Sequence, residues 1–357
     1  MKIVISGYYG FDNVGDEAIL YSIIQALKKN DPEIEVTVLS NNPEYTRKTY
    51  GVQAVNRWKL GEVHSAIKAS NGLISGGGSL LQDETGFKSI PYYTGIIKIA
   101  QMLKKPVFVY AQGMGPIHKS YNQMIVKNVL KKTKVTVRDE ASKKLLKKIG
   151  LKNPIQIVPD PVMGVSINRN SSQWWDLQSF QGPVLTVSVR DWPSTVNFKG
   201  EIAQALDKLA SVGVEIVFVP MHGEHDEKAS SEVAALMSGK SYISPYMDSI
   251  EEKISIIGKS DALVGMRLHA LIFSSITYTP FIALSYDPKI DAFAEICQQP
   301  VAGHVNETGW TADSLFESIQ QVLANAEVES KKLQEKVEPL QQSAMETAKQ
   351  AIQLFKE

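Results

Sequence analysis

Short apolar segments rich in β-branched residues alternate with amphipathic helical segments along most of the chain. This alternation is typical of parallel sheets that are covered by helices on both faces. It therefore predicts an α/β fold. The predicted strands span residues 2–6, 34–39, 72–75, 106–110, 135–137 and 155–158 in the first half, and 183–189, 214–219, 261–264 and 281–284 in the second.

The alternation is interrupted over residues 164–180, where proline, glycine, asparagine and serine replace the periodic pattern. A length of 357 residues indicates about two domains. We therefore expect two Rossmann-like domains, 1–163 and 181–325, joined by this linker and facing each other across a cleft. Residues 326–357 are predicted to form C-terminal helices that Pro339 interrupts and that pack back on the first domain. Open α/β sheets bind ligands at the carboxyl ends of their strands, so functional residues are expected there.

The charge composition excludes a global attraction to nucleic acid, because Lys+Arg and Asp+Glu both number 38. An anionic ligand must therefore be bound locally. A local group of lysines forms either a solvated face or a surface that lies against the headgroups of a membrane. It consists of Lys127, Lys131, Lys132, Lys134, Lys143, Lys144, Lys147 and Lys148.

The single cysteine, Cys297, cannot form a disulfide within the chain, which suits a reducing compartment. No apolar run reaches the roughly 18 residues that a membrane-spanning helix needs. The expected location is the cytoplasm, with peripheral contact at the inner face of the membrane as a further option.

Three glycines follow the first predicted strand in the segment GYYGFDNVGDE, residues 7–17. Glycines allow a tight turn into a helix, which is expected to begin near Asp16 and run to Lys29. One interpretation is a ligand loop in which Gly10, Asn13, Asp16 and Glu17 contact a sugar; the other is an ordinary turn with Asp16 as a helix cap. The spacing is not G-x-G-x-x-G and no acidic residue ends the second strand, so a nicotinamide cofactor is disfavoured.

A second glycine-rich segment, SGGGSLLQD over residues 75–83, follows another predicted strand. Its glycines let a substrate approach the main chain, and its polar side chains offer hydrogen bonds of the kind that sugars accept. The alternative is a flexible turn. The candidate residues are Gly76, Gly77, Gly78, Ser79 and Gln82. A weaker segment of the same kind, residues 112–116, either repeats this pattern or forms only a turn.

Two arginines, Arg138 and Arg190, each stand where a predicted strand ends and precede an aspartate. A guanidinium in that place can hold a carboxylate or phosphate through two parallel hydrogen bonds. The alternative is an Arg–Asp pair that fastens a loop. We favour Arg138, because the helix that follows it leaves the arginine directed into the expected cleft.

The second half carries the segment VGMRLHA, which predicts a strand end, a turn and a helix whose first turn holds Arg267 and His269. Histidine can exchange a proton near neutral pH, and the arginine can bind an anion beside it. Lys289 follows the next strand and would add a positive charge or simply lie in solvent. His222 belongs to an H-x-x-H spacing that is a weak metal signal, so a sugar-contacting or structural histidine is favoured.

Taken in order, the segments GYYGFDNVGDE, GGGSLLQDETG, AQGMGP, VRDEAS, PDP and MRLHA resemble the polysaccharide pyruvyl transferase family from about residue 2 to residue 294. The resemblance is strongest to the branch that modifies the secondary cell-wall polysaccharide of Gram-positive bacteria, where the pyruvylated sugar anchors surface-layer proteins. It implies two domains like those of GT-B glycosyltransferases. It also implies that phosphoenolpyruvate forms a ketal across two hydroxyls of a lipid-linked, N-acetylmannosamine-containing disaccharide, with no cofactor and no metal.

The resemblance also implies roles for individual residues. His269 would donate a proton, with Arg138 and Asp16 completing the catalytic set. Arg267, Lys289 and Gly265 would bind the donor. Together with the residue chemistry described above, it assigns nine residues to the acceptor or to the lining of the cleft: Gly10, Asn13, Glu17, Gly76, Gly77, Gly78, Ser79, Gln82 and His222.

Two alternatives of other kinds stay open at the level of sequence. A glycosyltransferase that uses a nucleotide sugar could share the same architecture, because a fold does not fix a function. A non-catalytic sugar-binding protein on the same scaffold is the other, and the paired Arg267 and His269 argue against it.

Overall fold

The computed structural model describes residues 1–84, 86, 88–166 and 171–357. Thr85, Phe87 and residues 167–170 of the predicted linker lie outside the described residues. The chain divides into two compact units. Unit 1 comprises residues 1–165 and 340–357, and unit 2 comprises residues 166–339.

Unit 1 is built on a parallel sheet whose strands run in the order β3-β2-β1-β4-β6-β7-β8, with β5 paired to β6. The strands are β1 Lys2–Ser6, β2 Glu35–Ser40, β3 Gln53–Asn56, β4 Gly72–Ser75, β5 Gly78–Leu81, β6 Val107–Met114, β7 Lys134–Val137 and β8 Ile155–Ile157. The helices are α1 Val14–Asn30, α2 Pro43–Tyr50, α3 Leu60–Ala69, α4 Ser89–Met102, α5 Ser120–Leu130 and α6 Glu140–Lys148.

Unit 2 repeats the same architecture around a parallel sheet in the order β11-β10-β9-β12-β13-β14. The strands are β9 Val184–Ser188, β10 Glu215–Phe218, β11 Ser241–Ile243, β12 Ala262–Gly265, β13 Phe281–Ser285 and β14 Val301–His304. The helices are α7 Gln173–Asp176, α8 Phe198–Ser211, α9 Gly223–Leu236, α10 Ile250–Lys259, α11 Leu268–Ile276, α12 Pro288–Cys297, α13 Ala312–Ala324 and α14 Ala326–Lys356, which continues into unit 1.

The central strands of both sheets are buried on both faces, as expected when helices cover a parallel sheet on each side. All residues of β4, β6, β9, β12 and β13 are buried. The predicted α/β fold class with two parallel sheets is confirmed. No helix within the described ranges is both long and apolar enough to cross a lipid bilayer.

Several local predictions were wrong. Helix α1 begins at Val14 rather than near Asp16, because Asn13 is the N-cap and its side chain accepts a hydrogen bond from the amide of Gly15. Strand β6 ends at Met114 rather than at residue 110, so the first residues of the segment 112–116 belong to a strand. The short strands β3, β5, β11 and β14 escaped prediction, since three or four residues carry little periodicity.

Pro339 does not divide the C-terminal region into two helices, because α14 runs through it from Ala326 to Lys356. A proline inside a helix removes one hydrogen bond and costs about 3 kcal/mol. Apolar residues on both sides of it are buried, among them Val337 and Ala344, and their burial offsets this cost. Residues 340–357 pack on unit 1, where the ring of Phe355 lies against Gly72.

Candidate functional site

Candidate functional side chains in unit 2 gather at one edge of its sheet. His222 follows β10, Arg190 follows β9, Arg267 follows β12 and Lys289 follows β13. These four strands are neighbours in the order β10-β9-β12-β13, and parallel strands bring their carboxyl ends to the same edge. We call these four residues, with Asp226 and His269, the cationic edge.

Arg267 is held by Asp226 on α9. Its Nε lies 2.8 Å from Oδ2 of Asp226 and its Nη2 lies 2.5 Å from Oδ1, which is the paired geometry of a strong ion pair. Asp226 is only 1% exposed, whereas the Arg267 side chain is 17% exposed. The aspartate therefore fixes the guanidinium and leaves part of it at the surface. No local feature of the sequence indicates this partner, which stands 41 positions away.

His222 lies beside the same ion pair, with its Nδ1 3.5 Å from Nη2 of Arg267. Burial lowers the pKa of His222 from its ordinary value, and the positive charge of Arg267 lowers it further, while Asp226 opposes the shift. The His222 imidazole therefore binds a proton less readily in the folded chain than in the unfolded chain. Stability is expected to fall as the pH drops below the ordinary histidine range.

Arg267→Gln is expected to raise the pKa of His222, because the substitution removes a neighbouring positive charge and leaves Asp226 to act on the imidazole. An NMR titration of the histidine ring protons measures this change. Arg47→Gln in unit 1 serves as a matched control and should leave the His222 resonance unchanged. An unaltered or lower His222 pKa in Arg267→Gln would contradict the described electrostatics.

Arg190 is the second guanidinium of the cationic edge, although the sequence pattern favoured Arg138 over it. Its Nη1 donates to the hydroxyl of Tyr286 at 2.8 Å, and its guanidinium carbon lies 4.6 Å and 5.0 Å from the ring centroids of Tyr286 and Trp192. In the part of the chain that the structure describes, no carboxylate forms an ion pair with it. Its charge is fixed in place by aromatic rings and stays available to an anion.

The other predicted donor residues differ in what surrounds them. Lys289 has its Nζ 2.9 Å from Oδ2 of Asp287 and 5.7 Å from the ring centroid of Tyr286. His269 is the second residue of α11 and is partly buried, with Nε2 shielded from solvent. Gly265 has a packing explanation, since a Cβ there would lie 2.6 Å from Cδ2 of Leu271.

Arg138 stands at the end of β7 in unit 1, where it donates from Nη2 to Oγ of Ser79 at 2.9 Å. Two carboxylates lie at longer range, Asp139 at 3.6 Å and Asp160 at 3.7 Å. Gly113 makes room for the side chain, because a Cβ there would lie 2.8 Å from the guanidinium. The structure thus brings Arg138 together with the second glycine-rich segment.

The two carboxylates of the first loop have different surroundings. Glu17 is 4% exposed, accepts hydrogen bonds from the amide of Gly10 at 2.7 Å and from the hydroxyl of Tyr50 at 2.5 Å, and has its pKa raised by burial. It therefore holds the loop in shape. Asp16 lies against Gly78, where φ is +86° and a Cβ would be 2.8 Å from Oδ1 of the aspartate. Asp16 is the carboxylate that meets the glycine run.

The glycine run packs tightly at the carboxyl ends of β1, β4 and β6. A Cβ on Gly76 would lie 2.1 Å from the hydroxyl of Tyr9, and one on Gly77 would lie 2.9 Å from Ile19. Gln112 donates from Nε2 to the carbonyl of Gly76 at 2.8 Å. These contacts give two of the three glycines a structural reason to be small.

Gln82 and its neighbour Asp83 bond within unit 1. Gln82 is 9% exposed, and its Oε1 accepts a hydrogen bond from the amide of Glu84 at 2.8 Å. Slight burial raises the pKa of Asp83, but hydrogen bonds from the His118 amide and the Asn122 side chain outweigh it and lower the pKa to about 2. Asp83 therefore fastens the loops around Gln82.

Across the described residues, no group of three or more His, Cys, Asp or Glu side chains is arranged to hold a metal ion.

Comparison with known proteins identifies a family and a fold. Residues 13–288 match the family model described as polysaccharide pyruvyl transferase. No curated protein sequence matches the chain.

Solved structures with low sequence identity share the fold over nearly the whole chain. The ADP-heptose lipopolysaccharide heptosyltransferase II of E. coli aligns with a TM-score of 0.57 at 15% identity, covering 92% of this chain and 100% of its own. The UDP-GlcNAc 2-epimerase of Neisseria meningitidis, bound to UDP-GlcNAc, aligns with 0.64 at 12% identity, covering 99% of both chains. HepE of Anabaena, in complex with UDP-glucose, aligns with 0.63 at 12% identity, covering 100% of this chain and 99% of its own. These alignments confirm the predicted GT-B-like fold.

Proposed function

The chain belongs to the polysaccharide pyruvyl transferase family, and on this premise we propose that it transfers the enolpyruvyl unit of phosphoenolpyruvate to a sugar. Two hydroxyls of the sugar become a ketal and phosphate is released. The observation that supports this most is the cationic edge of unit 2, where Arg190 and Arg267 are fixed by aromatic rings and by Asp226.

The donor carries a carboxylate and a phosphate, so its site needs several fixed positive charges. Arg267 offers the part of its guanidinium that Asp226 does not occupy, and Arg190 offers a charge that no described carboxylate neutralises. Lys289 adds an ammonium group beside Tyr286. Charges that are already held in place need no rearrangement when negative charge moves to the leaving phosphate.

The proposed reaction begins when His269 gives a proton to the methylene carbon of phosphoenolpyruvate. An oxocarbenium-like centre forms at the enol carbon, and one sugar hydroxyl adds there while its proton passes to Asp16. The carbon–oxygen bond to phosphate then breaks, the second hydroxyl adds to the same carbon, and its proton is released. One phosphate leaves for each ketal formed. Holding both hydroxyls together supplies a large part of the rate through proximity.

Arg138 keeps the role that the family resemblance implies, which is to bind an anionic group of the donor. Ser79, which accepts its hydrogen bond, would keep the guanidinium in position. Glu17 is assigned the role of holding the first loop in shape, and Asp16 is assigned the role of accepting the proton of the sugar hydroxyl.

The acceptor we propose is the family branch's lipid-linked disaccharide, with a 4,6-ketal formed on N-acetylmannosamine. The enzyme would act in the cytoplasm, where the lysine group that includes Lys127 and Lys131 would lie against anionic headgroups.

The experiment is to incubate the full chain with phosphoenolpyruvate and a synthetic disaccharide that contains N-acetylmannosamine. We expect stoichiometric phosphate release and a sugar product whose mass has gained pyruvate and lost one water. Turnover of UDP-GlcNAc in its place would support a glycosyltransferase instead. Binding of the disaccharide without any turnover would indicate a sugar-binding protein.

Arg138→Ala is expected to lower phosphate release by about tenfold or more, because a hydrogen bond to a charged group typically contributes about 1.5–3 kcal/mol. The phosphate assay above measures it. Lys98→Ala, which removes an exposed cation from α4 of the same unit, is the matched control and should release phosphate at the wild-type rate. Phosphate release at the wild-type rate in Arg138→Ala would remove Arg138 from the donor site.

A further inference from the structure

A polar pocket lies at the carboxyl ends of β2 and β3, at the edge of the unit 1 sheet. Its volume is about 330 Å³, and Asn41, Asn42 and Asn56 are among the residues that line it. Small-molecule sites typically begin near 300 Å³. Each asparagine amide offers two donors and an acceptor, which is the hydrogen-bonding capacity that sugar hydroxyls and acetamido groups require. We call this cavity the edge pocket.

The charged residues of the edge pocket balance one another. Two are cationic, Arg47 and Lys59, and two are anionic, Glu44 and Glu62. Lys59 lies 3.0 Å from Glu62, and Arg47 donates to the carbonyl of Ala54 at 2.9 Å. A pocket without net charge favours a neutral ligand over a phosphate or a carboxylate. It therefore differs in ligand chemistry from the cationic edge of unit 2.

Trp58 stands beside the pocket with 57% of its surface exposed. Its indole nitrogen donates to Oδ1 of Asn41 at 2.9 Å, and its amide donates to Oδ1 of Asn56 at 2.9 Å. The buried guanidinium of Arg57 lies 5.1 Å from its ring centroid. The ring is thus held in one orientation by its neighbours while much of it faces solvent.

Asn41 also links the edge pocket to the first glycine-rich loop. The amide of Asn41 donates to the carbonyl of Tyr9 at 3.0 Å, and its side-chain amide donates to the carbonyl of Gly10 at 3.3 Å. Gly10 itself packs against the backbone of Asn42. The pocket is therefore continuous with the loop to which the acceptor is assigned.

From these contacts we infer that the edge pocket binds a neutral sugar residue of the acceptor chain, one position removed from the sugar that is modified. The apolar C–H face of its pyranose ring stacks on Trp58. The asparagine amides bind its hydroxyl groups. This inference rests on the proposed function for the identity of the acceptor, whereas its test needs no turnover.

The test is the binding of two probes to the full chain, measured by saturation-transfer NMR and calorimetry in the absence of phosphoenolpyruvate. The probes are N-acetylmannosamine and a synthetic disaccharide that contains it. Trp58→Ala is expected to weaken binding of the disaccharide by about fivefold to tenfold and to leave the monosaccharide unaffected. Trp58→Phe, which keeps an aromatic ring, should retain most of the affinity.

Tyr121→Ala provides the matched control, because Tyr121 is an aromatic residue of unit 1 that is 53% exposed on α5. It should bind both probes like the wild type, and thermal unfolding should show that all variants are folded. Disaccharide affinity within twofold of wild type in Trp58→Ala would overturn the inference, and so would a wild-type chain that binds no disaccharide. A chain that binds the disaccharide through Trp58 but releases no phosphate would refute the proposed function alone.

Discussion

His269→Ala is expected to lower phosphate release from phosphoenolpyruvate by at least about 100-fold, with the chain still folded. General acid catalysis contributes typically 10²–10⁴-fold, and the proposed reaction begins with a proton that His269 delivers to carbon. Its place in the first turn of α11, two residues after Arg267, puts it beside the cations of unit 2. Initial rates of phosphate release measure the effect.

His64→Ala is the matched control, since His64 is an exposed histidine on α3 of unit 1. It should react at the wild-type rate. His269→Gln, which can form hydrogen bonds but cannot supply the proton, should be as slow as His269→Ala. A rate near that of the wild type in either His269 variant would show that another group protonates the donor.

Arg267→Ala is expected to destabilise unit 2 by about 3–5 kcal/mol, because it leaves the carboxylate of Asp226 buried without its partner. For a unit of this size the loss corresponds to a fall in Tm of roughly 10 °C. Donor binding should be lost as well. Thermal unfolding of the full chain, followed by circular dichroism, measures the first effect, and calorimetric titration with phosphoenolpyruvate measures the second.

The double variant Asp226→Ala, Arg267→Ala separates the two effects. It removes the buried charge together with its partner, so it should recover much of the Tm but none of the donor affinity. A double variant that is no more stable than Arg267→Ala would contradict the buried ion pair. Recovered donor affinity would show that Arg267 acts only by preserving the fold.

The sequence predicted the strands well because buried parallel strands are nearly continuous apolar runs with clear ends. Residues that follow such strands could therefore be assigned to a sheet edge in advance. In unit 2 this reasoning identified Arg267, His222 and Lys289, and β10, β12 and β13 bring them to one edge.

The missed residues depend on contacts that no local pattern reveals. Asp226 is buried against an arginine 41 positions away, and in the sequence it stands next to the H-x-x-H spacing of His222 and His225 with nothing to mark it as that arginine's partner. Arg57 and Trp58 follow β3, whose four residues were too few to be recognised as a strand, so their place at the sheet edge stayed hidden. Two features of the sequence could have indicated this site. They are the adjacent Arg57 and Trp58, and the asparagines that stand at the carboxyl ends of β2 and β3.

Glycines were the residues whose meaning the sequence could least decide. Gly265 and Gly76 both suggested contact with a ligand, yet a Cβ at either would collide with a neighbouring side chain of the same unit. Gly78 differs from these two glycines in two respects. Its φ is positive, and the atom that a Cβ would approach belongs to the candidate catalytic residue Asp16. Packing and ligand access both favour glycine, and only the surrounding atoms tell them apart.

The most direct measurement is the titration of phosphoenolpyruvate into the wild-type chain and into Arg190→Ala. Removing one charge-assisted hydrogen bond typically costs about 1.5–3 kcal/mol, so we expect the wild type to bind and the variant to bind at least about tenfold more weakly. Equal binding by the two chains would contradict the assignment of the cationic edge as the donor site. So would a wild-type chain that binds UDP-GlcNAc but not phosphoenolpyruvate.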